Sequence, residues 1–255
     1  MLNKILAWLF GQKPKDKRQV SQSGKAKGTS AQGRKRRQSS GKPYQSKRKG
    51  ELGEYKINIQ LEQMPQSYKM LHDAMFENSK SKTGYSQADH VLVTPAGVFV
   101  IETKNYAGDI AGQKKDKYWT VNGKRSLYNP IRQNYGHIKA VERIVSKTLP
   151  TSENVSIISI VTFTMRARFK IDPSLRKITS HELVIYDTEL TEFVKRKVIS
   201  LQRENGPTLS ETDIMKVHEA LKASNVTDPK LRQAHVNRAS QSRTSRPASP
   251  TKTSH

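Results

Sequence analysis

Two carboxylates and one amine crowd the middle of the chain, in the stretch QADHVLVTPAGVFVIETKNY at residues 87–106. It reads as two short apolar strands joined by a four-residue loop, Thr94-Pro95-Ala96-Gly97, with proline and glycine where a hairpin needs them. That register sets Asp89 across from Glu102, Val91 from Val100 and Val93 from Val98 on one face. Leu92, Phe99 and Ile101 occupy the other, so both faces of the hairpin are apolar enough to be covered. Lys104, two residues beyond Glu102, points the same way because strand side chains alternate with period two. Opposed like charges destabilise a sheet, and burial sharpens the conflict unless a cation joins them or one acid keeps its proton. Carboxylate oxygens around an open position suit a hard divalent ion, Mg²⁺ or Mn²⁺, completed by water and phosphate. An ammonium beside that ion holds or helps deprotonate an attacking water, which is the chemistry of metal-assisted phosphodiester hydrolysis. The competing reading has Asp89 closing a turn and Glu102 and Lys104 forming an exposed pair at a strand end.

The remaining elements must carry this hairpin. Residues 51–62 have helical spacing, with Leu52, Tyr55 and Ile59 on the apolar side and Ile57 and Leu61 nearby; Glu54 falls off that line and reads as a solvated acid. Residues 68–76 read as a first strand, followed by a polar turn through 78–84. Residues 118–122 form a short strand ending at Asn122-Gly123. Asn129-Pro130 opens a helix, with Asn as N-cap and Pro in the first turn. Its predicted buried stripe is Ile131, Tyr135, Ile138, Val141 or Glu142, and Val145. Gln133 lies in that first turn, where free N–H groups favour anions. His137 follows one turn later and is expected at the surface.

Residues 155–164, VSIISIVTFT, are a nearly unbroken β-branched run, the pattern of a strand buried on both faces. Arg166, Arg168 and Lys170 follow at alternate positions, as either the lining of a nucleic-acid groove or a solvated edge. A strand at 182–186, a helix at 189–201 and a last helix capped by Ser210 with Asp213 complete the order. It describes one α/β domain with a mixed central sheet between helices.

The 255 residues contain no cysteine, which excludes disulfides and thiolate metal sites. The formal net charge of +24 is unevenly spread: residues 11–50 carry fourteen Lys/Arg against one Asp, and 227–255 carry six against one. Residues 51–226 retain only +5, an ordinary balance for a globular domain. Five segments are expected: a short apolar start at 1–10, a basic disordered linker at 11–49, the domain at 50–200, a helical extension at 201–226 and a basic disordered tail at 227–255. The start is too short to span a bilayer. With the basic residues behind it, 1–20 reads as a peripheral foot on anionic membrane or as a short docking helix. Arg34-Lys35-Arg36-Arg37 reads as a nuclear-localisation or nucleic-acid patch, and the segment is expected to contact polyanions, nucleic acid or acidic lipid, in a salt-sensitive way.

Gly53-Glu54, then Gln87-Ala88-Asp89-His90, then the run from Gly97 to Tyr106 containing Glu102-Thr103-Lys104-Asn105, and finally Asn129-Pro130-Ile131-Arg132-Gln133 resemble the NERD, or nuclease-related, domain. The similarity runs from about residue 50 to 199, with the motifs in the family's order. That family is placed with the PD-(D/E)xK restriction-endonuclease-like nucleases, whose core order is αβββαβ. The resemblance implies that Asp89 and Glu102 hold Mg²⁺ or Mn²⁺ and that Lys104 assists the nucleophilic water. It also implies that Glu54 is an accessory acid at the metal and that Gln133 reaches the same site. The implied activity is hydrolysis of nucleic acid, DNA ahead of RNA, in a bacterial cytoplasm or at its inner membrane face. The rival is a non-catalytic nucleic-acid-binding or membrane-tethered scaffold that keeps the nuclease fold.

Overall fold

A computed structural model describes residues 42–150, 155–206 and 208–244. The apolar start, most of the basic linker and the last eleven residues lie outside the described residues. The elements run α1 (Lys42–Glu62), β1 (Lys69–Glu77), β2 (Tyr85–Thr94), β3 (Gly97–Lys104), β4 (Gly108–Gly112), β5 (Tyr118–Val121), β6 (Arg125–Tyr128), α2 (Pro130–Thr148), β7 (Ile157–Phe163), β8 (Ala167–Ile171), β9 (Glu182–Tyr186), α3 (Leu190–Asn205), α4 (Glu211–Ala223) and α5 (Pro229–Thr244). The main sheet has the order β1-β2-β3-β7-β9. β1, β2 and β3 are antiparallel neighbours, whereas β3, β7 and β9 run parallel. With α1 before the three-strand meander and α2 crossing over to β7, this is the mixed, helix-flanked αβββαβ core of a restriction-endonuclease-like fold.

The central hairpin has the expected register, Val91 opposite Val100 and Val93 opposite Val98. The strands run further than expected, Thr94 pairing with Gly97 so that only Pro95 and Ala96 form the turn. The Thr94 hydroxyl donates to the Gly97 carbonyl at 2.9 Å. Gly97 sits at φ 135°, and a Cβ there would lie 2.3 Å from the Ser156 carbonyl oxygen, so both the turn and the approach of β7 require glycine. Alternation then divides the hairpin between two cores. Val91, Val93, Val98 and Val100 pack with Val141 and Val145 of α2 and Ile214, Val217 and Leu221 of α4. Leu92, Phe99 and Ile101 pack against Ile57 and Leu61 of α1 and Val194, Val198 and Leu201 of α3.

Several expectations need correction. The first helix starts at Lys42, eight residues before Gly50. Its buried line is Gly53, Ile57 and Leu61, while Leu52, Tyr55 and Ile59 are exposed at 54%, 45% and 41%. The cause is Gly53: with no side chain it contributes nothing to an apolar count, yet it lets the helix close onto β3, where a Cβ would stand 3.2 Å from Thr103 Cγ2. On α2 the exposed residue is Tyr135, and Asn134 takes the core position. A second sheet, β6-β5-β4-β8, was expected only in its β5 strand. Its other members are four or five residues long and rely on single anchors such as Ile110 and Leu127 around the buried Trp119.

The tail expected to be disordered from residue 227 contains α5. This helix docks through polar groups: Arg232 pairs with Asp73 at 2.6 Å, His235 meets the Thr83 hydroxyl at 3.0 Å and Arg238 donates to the Thr83 carbonyl at 3.3 Å. Hydrophobic periodicity has nothing to detect there. Among the described residues no helix is long and apolar enough to cross a membrane.

The two faces of α1 separate by mutation. Ile57→Ala should cost about 2–5 kcal/mol and Ile59→Ala less than about 0.5 kcal/mol in urea denaturation. Equal costs would contradict the packing of this helix.

Candidate functional site

Glu102 ends the apolar run of β3 and is itself only 3% exposed. Its Oε1 accepts from the Lys104 ammonium and, at 2.6 Å, from the Gln133 amide. Lys104 Nζ donates in turn to Gln133 Oε1 at 3.0 Å, closing a triangle between β3 and the first turn of α2. The other oxygen, Glu102 Oε2, lies 3.4 Å from His137 Nε2, and neither atom has a well-formed hydrogen bond. His137 was expected at the surface; its side chain is only 12% exposed because α2 presents it one turn after Gln133, over the same carboxylate.

Asp89 lies on β2 one residue before His90, which pairs with Ile101 across the hairpin, and it feels the charge of Glu102. Its Oδ2 accepts from the Thr103 backbone N–H at 2.6 Å. The competing reading of an exposed strand-end pair is thereby excluded: Glu102 is buried, Lys104 is enclosed and Asp89 is turned into the same space. Glu54 comes from α1 and lines that space with them. Its placement follows from the Gly53 contact and from a second tie, His90 Nε2 to Asn58 Oδ1 at 2.8 Å. Burial of His90 pushes its pKa down to about 4, so the ring is a neutral structural pin between β2 and α1.

Two asparagines fix α2. The Asn129 side chain caps the helix by accepting from Ile131 N at 2.9 Å, and its amide donates to the Asp116 carbonyl at 2.7 Å. Asn134, fully buried, donates to the Val100 carbonyl at 2.9 Å and to Ser159 Oγ at 2.8 Å, pegging the helix to β3 and β7 behind the triangle. Asn134 and His137 are the site-supporting residues that sequence reasoning missed. A lone asparagine on a helix carries no signal, but the spacing of Asn129, Gln133 and His137, each one turn apart, marks one polar face.

The two opposed acids are driven apart electrostatically. Burial raises the Asp89 pKa well above the ordinary aspartate range, and the Glu102 charge adds to it. Burial acts against the Glu102 charge too, but the Lys104 ammonium and the His137 ring outweigh it and hold that carboxyl low. Burial likewise opposes the Lys104 charge, and Glu102 and Asp89 reverse this, keeping the amine protonated. Glu54 is raised, by burial and then by Asp73 and Glu102.

These side chains form the floor of a cleft of about 2080 Å³. Ten lysines and arginines line it against three acids, Glu54, Asp89 and Glu102. Of the three alternating basic residues after β7, only Arg166 lines the cleft. Arg168 and Lys170 lie on the edge strand β8, paired with Asp109 at 2.6 and 2.8 Å and largely exposed. β8 pairs with β4, and Arg168 and Lys170 are not among the residues that line the cleft.

The donor set fits a hard divalent ion: oxygens of two facing carboxylates, one of them the buried Glu102 Oε2 that has no hydrogen-bond partner. Among the described residues no three His, Cys, Asp or Glu side chains converge closely enough to form a ready cage. The fit is therefore to an ion such as Mg²⁺, which takes one or two carboxylates and keeps its waters, with Glu54 as a neighbouring charge.

Opposite stability effects follow for the two acids in buffer containing a chelator. The raised Asp89 pKa means its folded-state proton stabilises below the unfolded value and that this benefit is lost as pH rises. Asp89→Asn should therefore raise Tm at neutral pH and lose this advantage below about pH 4. Glu102 has a depressed pKa, so its contribution is present above the unfolded value and lost as pH falls through the folded one. Glu102→Gln, which strands Lys104, should cost on the order of 3 kcal/mol at pH 7. Shifts of the same sign for both variants would contradict the assigned charges.

Residues 49–164 match the family model described as the nuclease-related domain, NERD. A Bacillus anthracis protein described as uncharacterized is 29% identical over 202 residues, an alignment covering 76% of this chain and 85% of that protein. No solved structure matches. Glu54, Asp89, Glu102, Lys104, Gln133 and His137 all fall within the segment that matches the nuclease-related domain model.

Proposed function

We propose that this domain is a Mg²⁺- or Mn²⁺-dependent nuclease that hydrolyses phosphodiester bonds in DNA. The observation that carries the reading is the segregation of charge in one cleft: acids and an enclosed lysine at the floor, basic side chains around it. Asp89 and Glu102 are the residues that would hold the ion, with Glu54 contributing a third negative charge from α1. A divalent ion bound there lowers the pKa of its water and offsets charge on the scissile phosphate. Lys104 remains protonated and so acts as a donor, orienting the nucleophile and stabilising the charge that develops on phosphate oxygens. Gln133 holds both Lys104 and Glu102 in place, a positioning role. His137 stands over Glu102 Oε2, where its ring constrains that oxygen. Rim residues such as Arg132, Arg143 and Arg166 bind the backbone of the substrate and supply affinity without reading sequence. DNA is preferred to RNA on the strength of the restriction-endonuclease-like core.

The lack of a three-ligand cage among the described residues favours one alternative, a domain that grips nucleic acid without cutting it. Metal separates the two. A nuclease should bind Mn²⁺ in calorimetry and lose that binding in Asp89→Ala and Glu102→Ala, whereas a scaffold should show no such dependence.

The purified full chain should cleave plasmid DNA with Mg²⁺ and stop on chelation. Lys104→Ala, which leaves both proposed ligands in place, should lower the rate about 10²–10³-fold while retaining DNA binding. Wild-type rates in that variant would remove Lys104 from the chemistry.

A further inference from the structure

We infer that His137 is a ligand of the ion at this site, binding through Nε2 beside Glu102 Oε2, and that it gives the site a preference for first-row transition ions such as Mn²⁺ over Mg²⁺. The inference rests on the nuclease reading for the presence of an ion and adds a nitrogen donor to the carboxylates.

The two oxygens of Glu102 are not equivalent. Oε1 is occupied, accepting from the Lys104 ammonium and, at 2.6 Å, from the Gln133 amide. Oε2 is buried without a hydrogen-bond partner and is the oxygen left for an ion. Against it stands His137, with Nε2 at 3.4 Å. Both ring nitrogens of His137 are likewise buried without a hydrogen-bond partner. Each buried polar atom left unpaired costs about 1–3 kcal/mol, and here a carboxylate oxygen and an imidazole nitrogen are left so side by side. That pair is the donor chemistry of a divalent transition ion.

The spacing agrees. Two atoms bound to one ion at about 2.0–2.2 Å stand roughly 3.0–3.4 Å apart, from the right angle of an octahedron to the tetrahedral angle. The Nε2–Oε2 separation falls at the upper end of that range. It exceeds the usual N–H···O length of about 2.7–3.2 Å. No protein group holds the proton on Nε2, so the ring can carry it on Nδ1 and leave Nε2 as an electron-pair donor. Gln133 and His137 are four residues apart and share one face of α2, and the Asn134 peg fixes that face over β3. Glu54, Asp89, Glu102 and His137 all line the cleft, so an ion reaches the pair from the same space as substrate. Among the described residues no three such side chains form a cage, so the ion is anchored at two points and keeps room for water and for Asp89. Mg²⁺ is satisfied by oxygen, whereas imidazole favours the transition series.

The test is pulsed electron paramagnetic resonance of the full chain with one equivalent of Mn²⁺. Wild type should show the modulation of a directly bound imidazole nitrogen, which changes when histidine is labelled with heavy nitrogen and disappears in His137→Gln. Glutamine can still donate to Glu102 but presents no imidazole, and its Tm in chelator checks folding. Asp89→Asn, which leaves His137 in place but weakens the ion site, should also lose the signal and decides the matter if the glutamine variant is unstable. In calorimetry His137→Gln should weaken Co²⁺ at least about tenfold, a loss that even an outer-shell partner of a metal commonly causes, and leave Mg²⁺ nearly unchanged. A Mn²⁺ spectrum without imidazole nitrogen would overturn the inference. So would Co²⁺ and Mg²⁺ affinities that fall together, the behaviour of a residue that only orients Glu102. In both cases ion binding that depends on Asp89 leaves the nuclease reading standing; absence of any such binding removes the nuclease reading and this ligand with it.

Discussion

A buried carboxylate survives as a charge only where its surroundings replace the water it has lost, and Glu102 is that group here. Everything around it reads as compensation. Lys104 supplies the opposite charge, Gln133 supplies a neutral donor and ties the lysine down, and His137 covers the remaining oxygen. Two of these come from α2, so the helix must be held at a fixed height and rotation over β3. The Asn129 cap and the Asn134 peg do this with hydrogen bonds rather than apolar contacts. Asp89 faces the same spot with less help, a single backbone N–H, and burial and its neighbour's charge turn it toward the protonated form. Acids whose pKa values are forced apart recur at catalytic sites, and this separation is one support for the nuclease proposal.

What the sequence discloses divides along the line between apolar and polar instructions. The β2–β3 hairpin is legible because both faces alternate strictly and a tight turn admits one register, which put Asp89 and Glu102 face to face. β7, β9, α3 and the Ser210 cap are legible for related reasons: long apolar runs or a capping pair with a local meaning. The face of α1 is not legible, because its decisive residue is a glycine whose contribution is an absent atom. The rotation of α2 is not legible because an asparagine, Asn134, occupies a core position. α5 is missed altogether, since it is held by Arg232, His235 and Arg238 to polar atoms of β1 and the following turn. The role of Glu54 required the family resemblance; its own segment argues for a solvated acid.

Charge is organised at two scales. Over the whole chain the basic excess lies in the terminal segments, where on the proposed reading it would add affinity that falls with salt. Within the domain the sign reverses over a few ångströms, from basic walls to an acidic floor. A polyanion is drawn by the first and opposed by the second. On the proposed reading, a divalent ion held by Asp89 and Glu102 would join Lys104 in bringing positive charge to the floor and so reconcile the two.

The segment shared with the family supplies the floor, but it does not supply the whole cleft. Arg166, just after β7, and His235 and Val236 on α5 lie beyond residue 164 and yet line the same cavity. The helix α5 is attached mainly by polar contacts, among them the exposed Arg232–Asp73 pair, so its local stability should be lower than that of the apolar layers below. Chemistry and admission are therefore specified by different parts of the chain. The acids and Lys104 are locked by the hairpin register and by α2, where any slip turns them out of the site. The outer wall is set by a peripheral helix whose loss would leave that register intact. On the nuclease reading proposed above, the floor can stay unchanged while the outer wall of the cleft is altered by sequence beyond the matched segment.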